Sequence, residues 1–331
     1  MKIQLQEGQK LAQDALVALG YAPERAVVIS KHLIDSQMRG YPSAGFARIL
    51  SIRDRLDGRL PVDRITVSRE SIATAQLEGN DTLGYLVAQE ATEKAIATAK
   101  KAGIAMVGAN GTWYTGMLVY YAEMAAKEGL VTIIASNTTP WVAAHGGYRP
   151  INGTNPFCVG FPTSDLPVIY DIGTSKIIHA DVLLAQRLGT QLPPDSAFDK
   201  DGNLTTDPWQ VLEGSMAPWG GHKGTGLATV VQLLGVLAGS PASPPTLEQF
   251  GFTIIAVDPA MFRPIDDYMK EVDAYCKQMR ESPTTAKDGR LRLPFERSAK
   301  QRQEALAADE VEIDERVFNM LKGIAVACSN P

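Results

Sequence analysis

The chain has little of what marks a membrane-spanning, nucleic-acid-binding or disulfide-stapled protein. None of its 331 residues lie in a run that approaches the roughly 20 apolar residues of a membrane span, and the first residues lack the apolar core of a signal peptide. A formal net charge of −5 gives no basic surface for nucleic acid. Cys158, Cys276 and Cys328 are too few and too far apart for a disulfide framework or a zinc knuckle. These absences predict a cytoplasmic protein with neither a nucleic-acid nor a membrane partner.

Several standard catalytic and nucleotide-binding motifs are missing as well. No G-x-G-x-x-G follows a strand and no P-loop occurs, so a nucleotide would have to be held in a non-Rossmann way. The four histidines are not at metal-ligand spacings, and neither H-E-x-x-H nor C-x-x-C is present. There is also no G-x-S-x-G turn for a nucleophilic serine. We therefore expect no metal site and no acyl-transfer chemistry.

What is present is typical of a globular α/β protein. Apolar residues make up 45% of the chain and charged residues 21%, which suits two or three lobes. The N-terminal portion has helical periodicity, and from about residue 84 predicted helices at 87–101 and 118–128 precede apolar runs at 104–108 and 130–135. This alternation predicts an α/β layer architecture, and the tail returns to helix.

Residues 153–226 concentrate glycines, hydroxyls and a lysine after short apolar runs. The segment from Asp171 to Ser175 (Asp171, Ile172, Gly173, Thr174, Ser175) can offer several donors to a pyrophosphate. The Thr174 and Ser175 hydroxyls can equally serve as helix caps. Lys223 lies between two glycines before a predicted helix, where it is either a charge for phosphate or a solvated surface lysine.

His179 and Asp181 follow closely behind that hydroxyl pair. Two residues of these types can form part of a cofactor or proton-handling site. A local hydrogen bond is the simpler interpretation, and the spacing alone does not choose between them. His32, by contrast, lies inside a predicted helix and is expected to be structural.

Taken together, these motifs resemble the malate/L-lactate dehydrogenase family, which lies outside the Rossmann group. The resemblance extends over nearly the whole chain. It rests on the joint spacing of several segments, namely Arg39-Gly40-x-x-Ser43-x-Gly45-x-x-Arg48, residues 120–125, the 153–226 block and Leu293-Pro294-x-Glu296.

The resemblance implies a fold, a cofactor and an assembly. The expected fold is α/β, with a non-Rossmann nicotinamide-binding mixed sheet and a helical, substrate-side domain built from residues 1–70 and 290–331. Residues 71–289 would form the cofactor-binding region, in one or two lobes. A homodimer that acts on a small imino or oxo acid is implied as well. The residues implied to line the cofactor are Asp171, Ile172, Gly173, Thr174, Ser175, His179, His222, Lys223, Glu296 and Arg297.

Two features of the resemblance concern the substrate. Arg48 is the implied clamp for a substrate carboxylate, since a guanidinium fork fits a planar anion; structural pairing with a carboxylate is its alternative. The segment 178–182 resembles the Δ1-piperideine-2-carboxylate and Δ1-pyrroline-2-carboxylate (ketimine) reductases of the family. Asp181 within it can stabilise an iminium and relay its proton. His179 beside it would contact an adenosine 2′-phosphate, which favours NADPH over NADH.

Two departures from the family pattern affect the acid/base machinery. Ala44 occupies the position of the family's catalytic histidine, and a methyl group cannot exchange protons. Tyr114 occupies the position of a second histidine, and a phenol is a poor base at neutral pH. Ala44 can reflect an engineered knockout, a natural enzyme whose substrate brings its own proton, or a cofactor-binding protein without turnover. Because both positions depart, natural divergence is favoured.

These considerations predict an NAD(P)H-dependent imine reductase. The predicted catalytic residues are Asp181 as iminium stabiliser and proton relay, Tyr114 as auxiliary donor, Ser43 as hydrogen-bonding anchor and Arg48 as carboxylate clamp. The rival functions are a 2-hydroxyacid dehydrogenase of the malate, lactate or ureidoglycolate type and a catalytically impaired homologue.

Overall fold

The computed structural model describes residues 1–285, 287 and 289–327; Cys328 lies outside them. The strands are β1 (Lys2–Gln4), β2 (Thr66–Glu70), β3 (Thr74–Leu83), β4 (Ile104–Trp113), β5 (Val131–Ser136), β6 (Val142–Ala143), β7 (Pro150–Asn152), β8 (Phe157–Phe161), β9 (Val168–Ile172), β10 (Ala197–Phe198), β11 (Ser215–Met216), β12 (Phe250–Val257) and β13 (Glu310–Glu312). The helices are α1 (Leu5–Ala18), α2 (Pro23–Met38), α3 (Arg48–Leu56), α4 (Gly84–Ala102), α5 (Leu118–Lys127), α6 (His179–Leu188), α7 (Pro208–Glu213), α8 (His222–Leu237), α9 (Ile265–Glu281), α10 (Glu296–Ala308) and α11 (Glu315–Ala327).

The central element is a seven-stranded sheet in the order β2-β3-β4-β12-β5-β8-β9. Strands β3 and β4 are parallel, and the other neighbouring pairs are antiparallel. A dinucleotide-binding Rossmann sheet is instead mostly parallel with helices on both faces. The predicted mixed, non-Rossmann α/β architecture is therefore confirmed.

Helices α4 and α5 cover this sheet because each presents a face of small apolar side chains. In α4, Ala91, Ala95 and Ala99 are fully buried at helical spacing and pack in the same core as Val107 and Phe252 of the sheet. Alanine lets helix and sheet approach closely at little cost in side-chain entropy. The helix ends at Gly103, whose φ of +82° suits glycine.

A second core joins the two ends of the chain. Helices α1, α2, α3 and α11 contribute its buried side chains, and β1 pairs with β13 so that Ile3 lies opposite Val311. The predicted division into a domain of residues 1–70 and 290–331 and a region of residues 71–289 stays a prediction. Residues 328–331 lie outside the described part of the chain. A third, smaller core lies between α6, α7 and the sheet β10-β11-β6-β7.

The predicted helices at 87–101 and 118–128 and the apolar runs at 104–108 and 130–135 are all confirmed as helices and strands. Their ends lie within three residues of the prediction, except that β4 continues five residues beyond 108 to Trp113. Strand β3 was not anticipated, because its Glu78-Gly79-Asn80-Asp81 segment has the composition of a turn. The structure extends β3 through this segment with an irregularity between Glu78 and Thr82. A Cβ at Gly79 would lie 2.8 Å from the Asn110 carbonyl oxygen, so glycine permits the close backbone approach.

Candidate active site

A cavity of about 360 Å³ lies where the helical core meets the edge of the main sheet. Four segments converge on it: the turn before α3, the β4–α5 loop, the end of β9 and the first turn of α6. Its lining residues are Tyr41, Ser43, Ala44, Arg48, Tyr114, Thr115, Gly116, Met117, Leu118, Val119, Thr138, Trp141, Thr154, Pro156, Ile169, Asp171, Gly173, Ile178, His179, Ala180, Asp181, Phe250, Phe295 and Ser298. All five positions singled out for catalysis, namely Ser43, Ala44, Arg48, Tyr114 and Asp181, are among them.

Asp181 is held by two hydrogen bonds that fix its carboxylate at the cavity wall. The Ser43 hydroxyl donates to Oδ1 at 2.6 Å, and the Ile178 backbone N–H donates to Oδ2 at 3.1 Å. Asp181 occupies the first turn of α6, where a carboxylate is favoured by the helix dipole. The sequence separation between Ser43 and Asp181 is 138 residues, so this pairing is created by the fold.

Arg48 reaches the same cavity from α3 without a carboxylate partner among the described residues. Its guanidinium carbon lies 4.5 Å from the centroid of the Tyr114 ring, and its Nε is buried with no hydrogen bond. The structural ion pair that was the alternative for Arg48 is thus not found in the described part of the chain. A cation held against an aromatic face at the wall of a cavity is arranged to receive an anion.

His179 is the first residue of α6 and forms another part of the wall. Its ring stacks on Trp141 at 3.8 Å between centroids and 5° between planes. Burial, together with the charges of Arg48 and Arg187, lowers the pKa of His179 to about 3. The imidazole is therefore neutral at physiological pH, and its predicted contact with an adenosine 2′-phosphate stays a prediction.

Asp171 lies at the end of β9 and caps α5, since its Oδ2 accepts the Val119 backbone N–H at 2.8 Å. Burial raises the pKa of Asp171 to about 6, against the opposing backbone hydrogen bonds. No ion pair to this carboxyl occurs within residues 1–285, 287 and 289–327. Asp171 is thus a second cavity group whose charge is not neutralised by a neighbour.

Tyr114 and Ala44 occupy the two positions where the family resemblance implies histidines, and neither side chain can act as a base at neutral pH. Burial raises the pKa of the Tyr114 hydroxyl, although Arg48 opposes the shift. Ala44 is 6% exposed and presents only a methyl group. The proton-exchanging groups that remain at this wall are carboxyls, Asp181 above all.

Behind the cavity, four charged side chains of α2, α5 and α10 form a buried network. Arg39 is fully buried and pairs with Asp35 and Glu123. Arg302 donates to Glu123 at 2.6 Å and to Asp35 at 3.1 Å. The Arg39 guanidinium also lies 4.9 Å from the Phe295 ring centroid, and Phe295 lines the cavity. The network therefore ties three helices together beneath the site.

Comparisons with known proteins identify the family. The family model for malate/L-lactate dehydrogenase matches residues 3–322. The chain belongs to the malate/L-lactate dehydrogenase family.

Its relatives within this family carry two kinds of name. L-sulfolactate dehydrogenase of Methanothermobacter thermautotrophicus is 31% identical over 98% of this chain and 96% of its own. Delta(1)-pyrroline-2-carboxylate reductase 1 of Burkholderia ambifaria is 32% identical over 78% of this chain and 80% of its own. A dehydrogenase from Sinorhizobium meliloti has a solved structure with a TM-score of 0.91, 27% identity and 98% coverage of both chains. Other relatives of similar identity are named for malate, lactate or sulfolactate dehydrogenases.

Enzymes of the malate/L-lactate dehydrogenase family use nicotinamide cofactors, and the residues at the cavity rim fit one. Gly173 lines the cavity, and a Cβ there would approach no atom closer than 3.7 Å. Thr174 is hydrogen-bonded through its backbone to Trp219 at 2.9 Å, which brings the β9 end beside the loop that opens α8. Within that loop Gly220 and Gly221 both have a φ of +60°. The backbone N–H groups at the α8 N-terminus are of the kind that favour anions such as phosphates.

The remaining predicted cofactor residues divide by position. Thr174 and Ser175 are buried, but neither caps a helix, because their hydroxyls donate to the carbonyls of Thr154 and Ile177. Ile172 is the last residue of β9. His222 and Lys223 are exposed in the first turn of α8 and do not line the cavity. Their role towards a cofactor stays a prediction.

Glu296 and Arg297 begin α10 and lie outside the cavity lining. Glu296 accepts hydrogen bonds from Arg280 at 2.6 Å and from the Leu293 backbone at 3.1 Å. Arg297 is exposed and donates to the Tyr41 hydroxyl at 3.0 Å. Through Tyr41, which does line the cavity, Arg297 has an indirect contact with the site.

Some wall residues were not anticipated. Thr138, Phe250, Phe295 and Ser298 come from separate parts of the chain and carry no motif of their own. Phe295 occupies the variable position of Leu293-Pro294-x-Glu296, so the motif that contains its neighbours does not predict it. His32 is structural, as predicted: its Nε2 accepts the Met117 backbone N–H at 3.0 Å and thereby positions the β4–α5 loop.

Proposed function

We propose that this family member is an NAD(P)H-dependent reductase that transfers hydride to the C=N carbon of a cyclic or N-substituted imino acid. The observation that carries the proposal is the Ser43–Asp181 hydrogen bond at 2.6 Å in a cavity that Arg48 enters as an unpaired cation. A carboxylate beside a carboxylate-binding arginine matches the two charges of an iminium acid. The bound nicotinamide would supply the hydride.

The available acid/base groups favour C=N over C=O chemistry. Reduction of a ketone requires an acid that polarises the carbonyl and protonates the developing alkoxide. Ala44 cannot do this, and the neutral His179 ring is engaged on Trp141. An iminium already carries the proton that activates it, so an anionic neighbour such as Asp181 suffices. The lack of a histidine acid at position 44 should therefore slow the reduction of an imine less than the reduction of a ketone.

Each catalytic side chain then has a defined task. Asp181 would face the iminium nitrogen and share its proton, while the Ser43 hydroxyl holds Oδ1 in position. Arg48 would bind the substrate carboxylate through its free guanidinium edge. The Tyr114 hydroxyl remains an auxiliary donor near that end of the cavity.

The finer assignments of cofactor, assembly and location are also proposals. NADPH is favoured over NADH because His179 is the implied contact of an adenosine 2′-phosphate, and that contact stays a prediction. A homodimer is supported by an exposed apolar stripe on α8, where Val230, Leu233 and Leu237 are 51%, 62% and 66% exposed. No helix in the described residues is long and apolar enough to cross a membrane, and a cytoplasmic location remains an expectation.

A 2-hydroxyacid dehydrogenase is the second candidate, because most relatives at similar identity carry such names. Steady-state rates with Δ1-piperideine-2-carboxylate, Δ1-pyrroline-2-carboxylate, pyruvate and oxaloacetate, each with NADH and NADPH, separate the two. We expect a higher kcat/KM for the imines. Faster reduction of the oxo acids would reject the imine assignment and favour the second candidate.

Asp181→Asn tests the role of the carboxylate in the same assay. It should lower kcat for the imine by about a hundredfold or more, as expected when a proton-handling group is lost, while the Kd for NADPH changes little. Ser43→Ala is the matched control, since it removes the positioning bond and keeps the carboxylate; it should cost about tenfold or less. Equal loss of turnover and cofactor affinity in Asp181→Asn would make Asp181 a cofactor contact instead.

A further inference from the structure

A second cavity of about 530 Å³ lies on the other side of the Tyr114 and His179 side chains. These two residues line both cavities. Charged side chains of both signs line the second cavity: Asp54, Arg55, Asp57, Arg59, Arg187 and Glu248. The substrate cavity, by contrast, is lined largely by apolar and aromatic groups.

The six charged side chains of the second cavity comprise three of each sign, and four of them are paired with one another. Arg187 donates to Asp54 at 2.8 Å, and Arg55 pairs with Glu248 at 2.7 Å. The space is therefore neither a net anion site nor a net cation site. It suits an uncharged polar group, such as an amide, that can both donate to carboxylates and accept from guanidinium groups.

The wall between the two cavities is held on both sides. Tyr114 has a left-handed backbone with a φ of +52°, which is uncommon for a residue other than glycine and is found where the surroundings enforce it. Its ring packs against Arg48 at 4.5 Å and against Trp113 at 5.4 Å. His179 is fixed by its stack on Trp141.

The loop that carries Tyr114 is also constrained. The Trp113 indole donates to the Asp81 carbonyl at 2.9 Å, and the Thr115 hydroxyl donates to Ser136 at 3.1 Å. At Gly116 a Cβ would lie 2.5 Å from the ring atoms of His32 and Tyr85. These contacts leave the loop little freedom to swing the tyrosine ring aside.

We propose that Tyr114, together with His179, is a specificity-determining wall that restricts the substrate to compact acids and shuts it off from the charged cavity. The proposal rests on the proposed function only in placing the substrate's acid group beside Arg48. It predicts that removal of the wall will join the two spaces. Acids extended by an amide-ended chain would then be accepted, with the amide in the charged cavity.

The test uses binding rather than turnover, so that it does not depend on which bond is reduced. Oxamate is an unreactive analogue of a small 2-oxo or imino acid, and N-(2-carbamoylethyl)oxamate adds the amide-ended extension. Their Kd values are measured by isothermal titration calorimetry on the full chain saturated with NADPH. The variants are Tyr114→Gly, which removes the ring and relieves the left-handed backbone, and Tyr114→Phe, which keeps the ring but not the hydroxyl.

The parent protein and Tyr114→Phe should both bind oxamate at least about tenfold more tightly than the extended ligand, a ratio that a filled pocket can enforce. In Tyr114→Gly the preference should disappear or reverse. His179→Ala removes the other side chain that separates the two cavities. This variant replaces Tyr114→Gly in the test if the melting curve shows that Tyr114→Gly does not fold.

Three results would overturn the proposal. They are an unchanged preference in a folded Tyr114→Gly or His179→Ala protein, equal affinity of the parent for both ligands, and failure of every variant to bind either ligand. If the parent protein does not reduce imines in the kinetic assay but the binding ratios are as expected, the proposed function is rejected and the proposal about Tyr114 and His179 stands.

Discussion

Two sets of charged residues, one behind the cavity and one at its wall, differ in whether their charges are paired. Behind the cavity, Arg39, Asp35, Glu123 and Arg302 neutralise one another through short contacts. At the cavity wall, Arg48 and Asp171 have no ion-pair partner among the described residues. The first arrangement serves the fold, because each buried charge has the partner it needs. The second leaves charge available for a ligand and lowers stability.

This difference separates stability from activity in a testable way. Disruption of the paired set should unfold the protein and affect catalysis only through loss of folded material. Disruption of the unpaired set should spare the fold, or even stabilise it, and affect binding directly. Natural active sites commonly combine low local stability with high reactivity for the same reason.

The largest effect is expected for Arg39→Met, which keeps the bulk of a fully buried side chain and removes its charge. Asp35 and Glu123 would lose one cationic partner each, so the free energy of unfolding should fall by about 3 to 5 kcal/mol. Urea unfolding followed by circular dichroism measures this. Lys10→Met removes an exposed cation that is paired only with Asp14 of its own helix and is the control, with a change near zero. A stability loss no larger than that of the control would contradict the structural role of the network.

A smaller effect, of a different kind, is expected for Arg48→Lys. Lysine retains the charge but cannot form the two-pronged contact with a carboxylate. KM for the acid substrate should therefore rise by about tenfold to a hundredfold, which corresponds to loss of a charge-assisted hydrogen bond. The melting temperature should stay close to that of the parent. A large drop in melting temperature with an unchanged KM would assign Arg48 to the structural set.

The smallest effect is expected for Asp171→Asn, and its sign depends on pH. Because burial raises the pKa of Asp171 from 3.8 to about 6, the folded state binds this proton more tightly than the unfolded chain does. Stability therefore falls as pH rises from about 4 to 6, and above that range the charge lowers the free energy of unfolding by a constant amount. Asparagine has no charge and can still accept the Val119 N–H.

The full shift is equivalent to roughly 3 kcal/mol, but the buried asparagine amide is also costly to desolvate. Asp171→Asn should consequently stabilise the protein by about 1 to 2 kcal/mol at pH 7.5, and the gain should shrink towards zero at pH 4. Thermal melts of parent and variant at the two pH values give the difference. A gain that is the same at both would show that packing, rather than the buried charge, causes it. No gain at either pH would move Asp171 into the paired group.

Much of the candidate site was accessible from local pattern. The Arg39-to-Arg48 and 178–182 segments identified Ser43, Arg48 and Asp181, and the structure brings all three to one cavity. The 171–175 segment was located at the end of a strand, where β9 does end. Each of these was recognisable because its residues are neighbours in the chain, so that their spacing survives in the sequence.

Other features depended on contacts between distant segments. Strand β3 contains a turn-like sequence that its neighbour β4 overrides. The surroundings of His179 are likewise set by distant segments: its ring stacks on Trp141, and burial together with the charges of Arg48 and Arg187 lowers its pKa to about 3. Neither effect can be seen in a local window, since the partner lies tens of residues away.

Composition, motif spacing and the family resemblance were sufficient for the α/β class, the absence of a Rossmann fingerprint and several of the residues that line the cavity. Tertiary packing decided which of their charges are neutralised, which histidines have a lowered pKa and where one cavity ends and the next begins. The physical reason is that residue types follow the chain, whereas burial, pairing and desolvation belong to the space between segments.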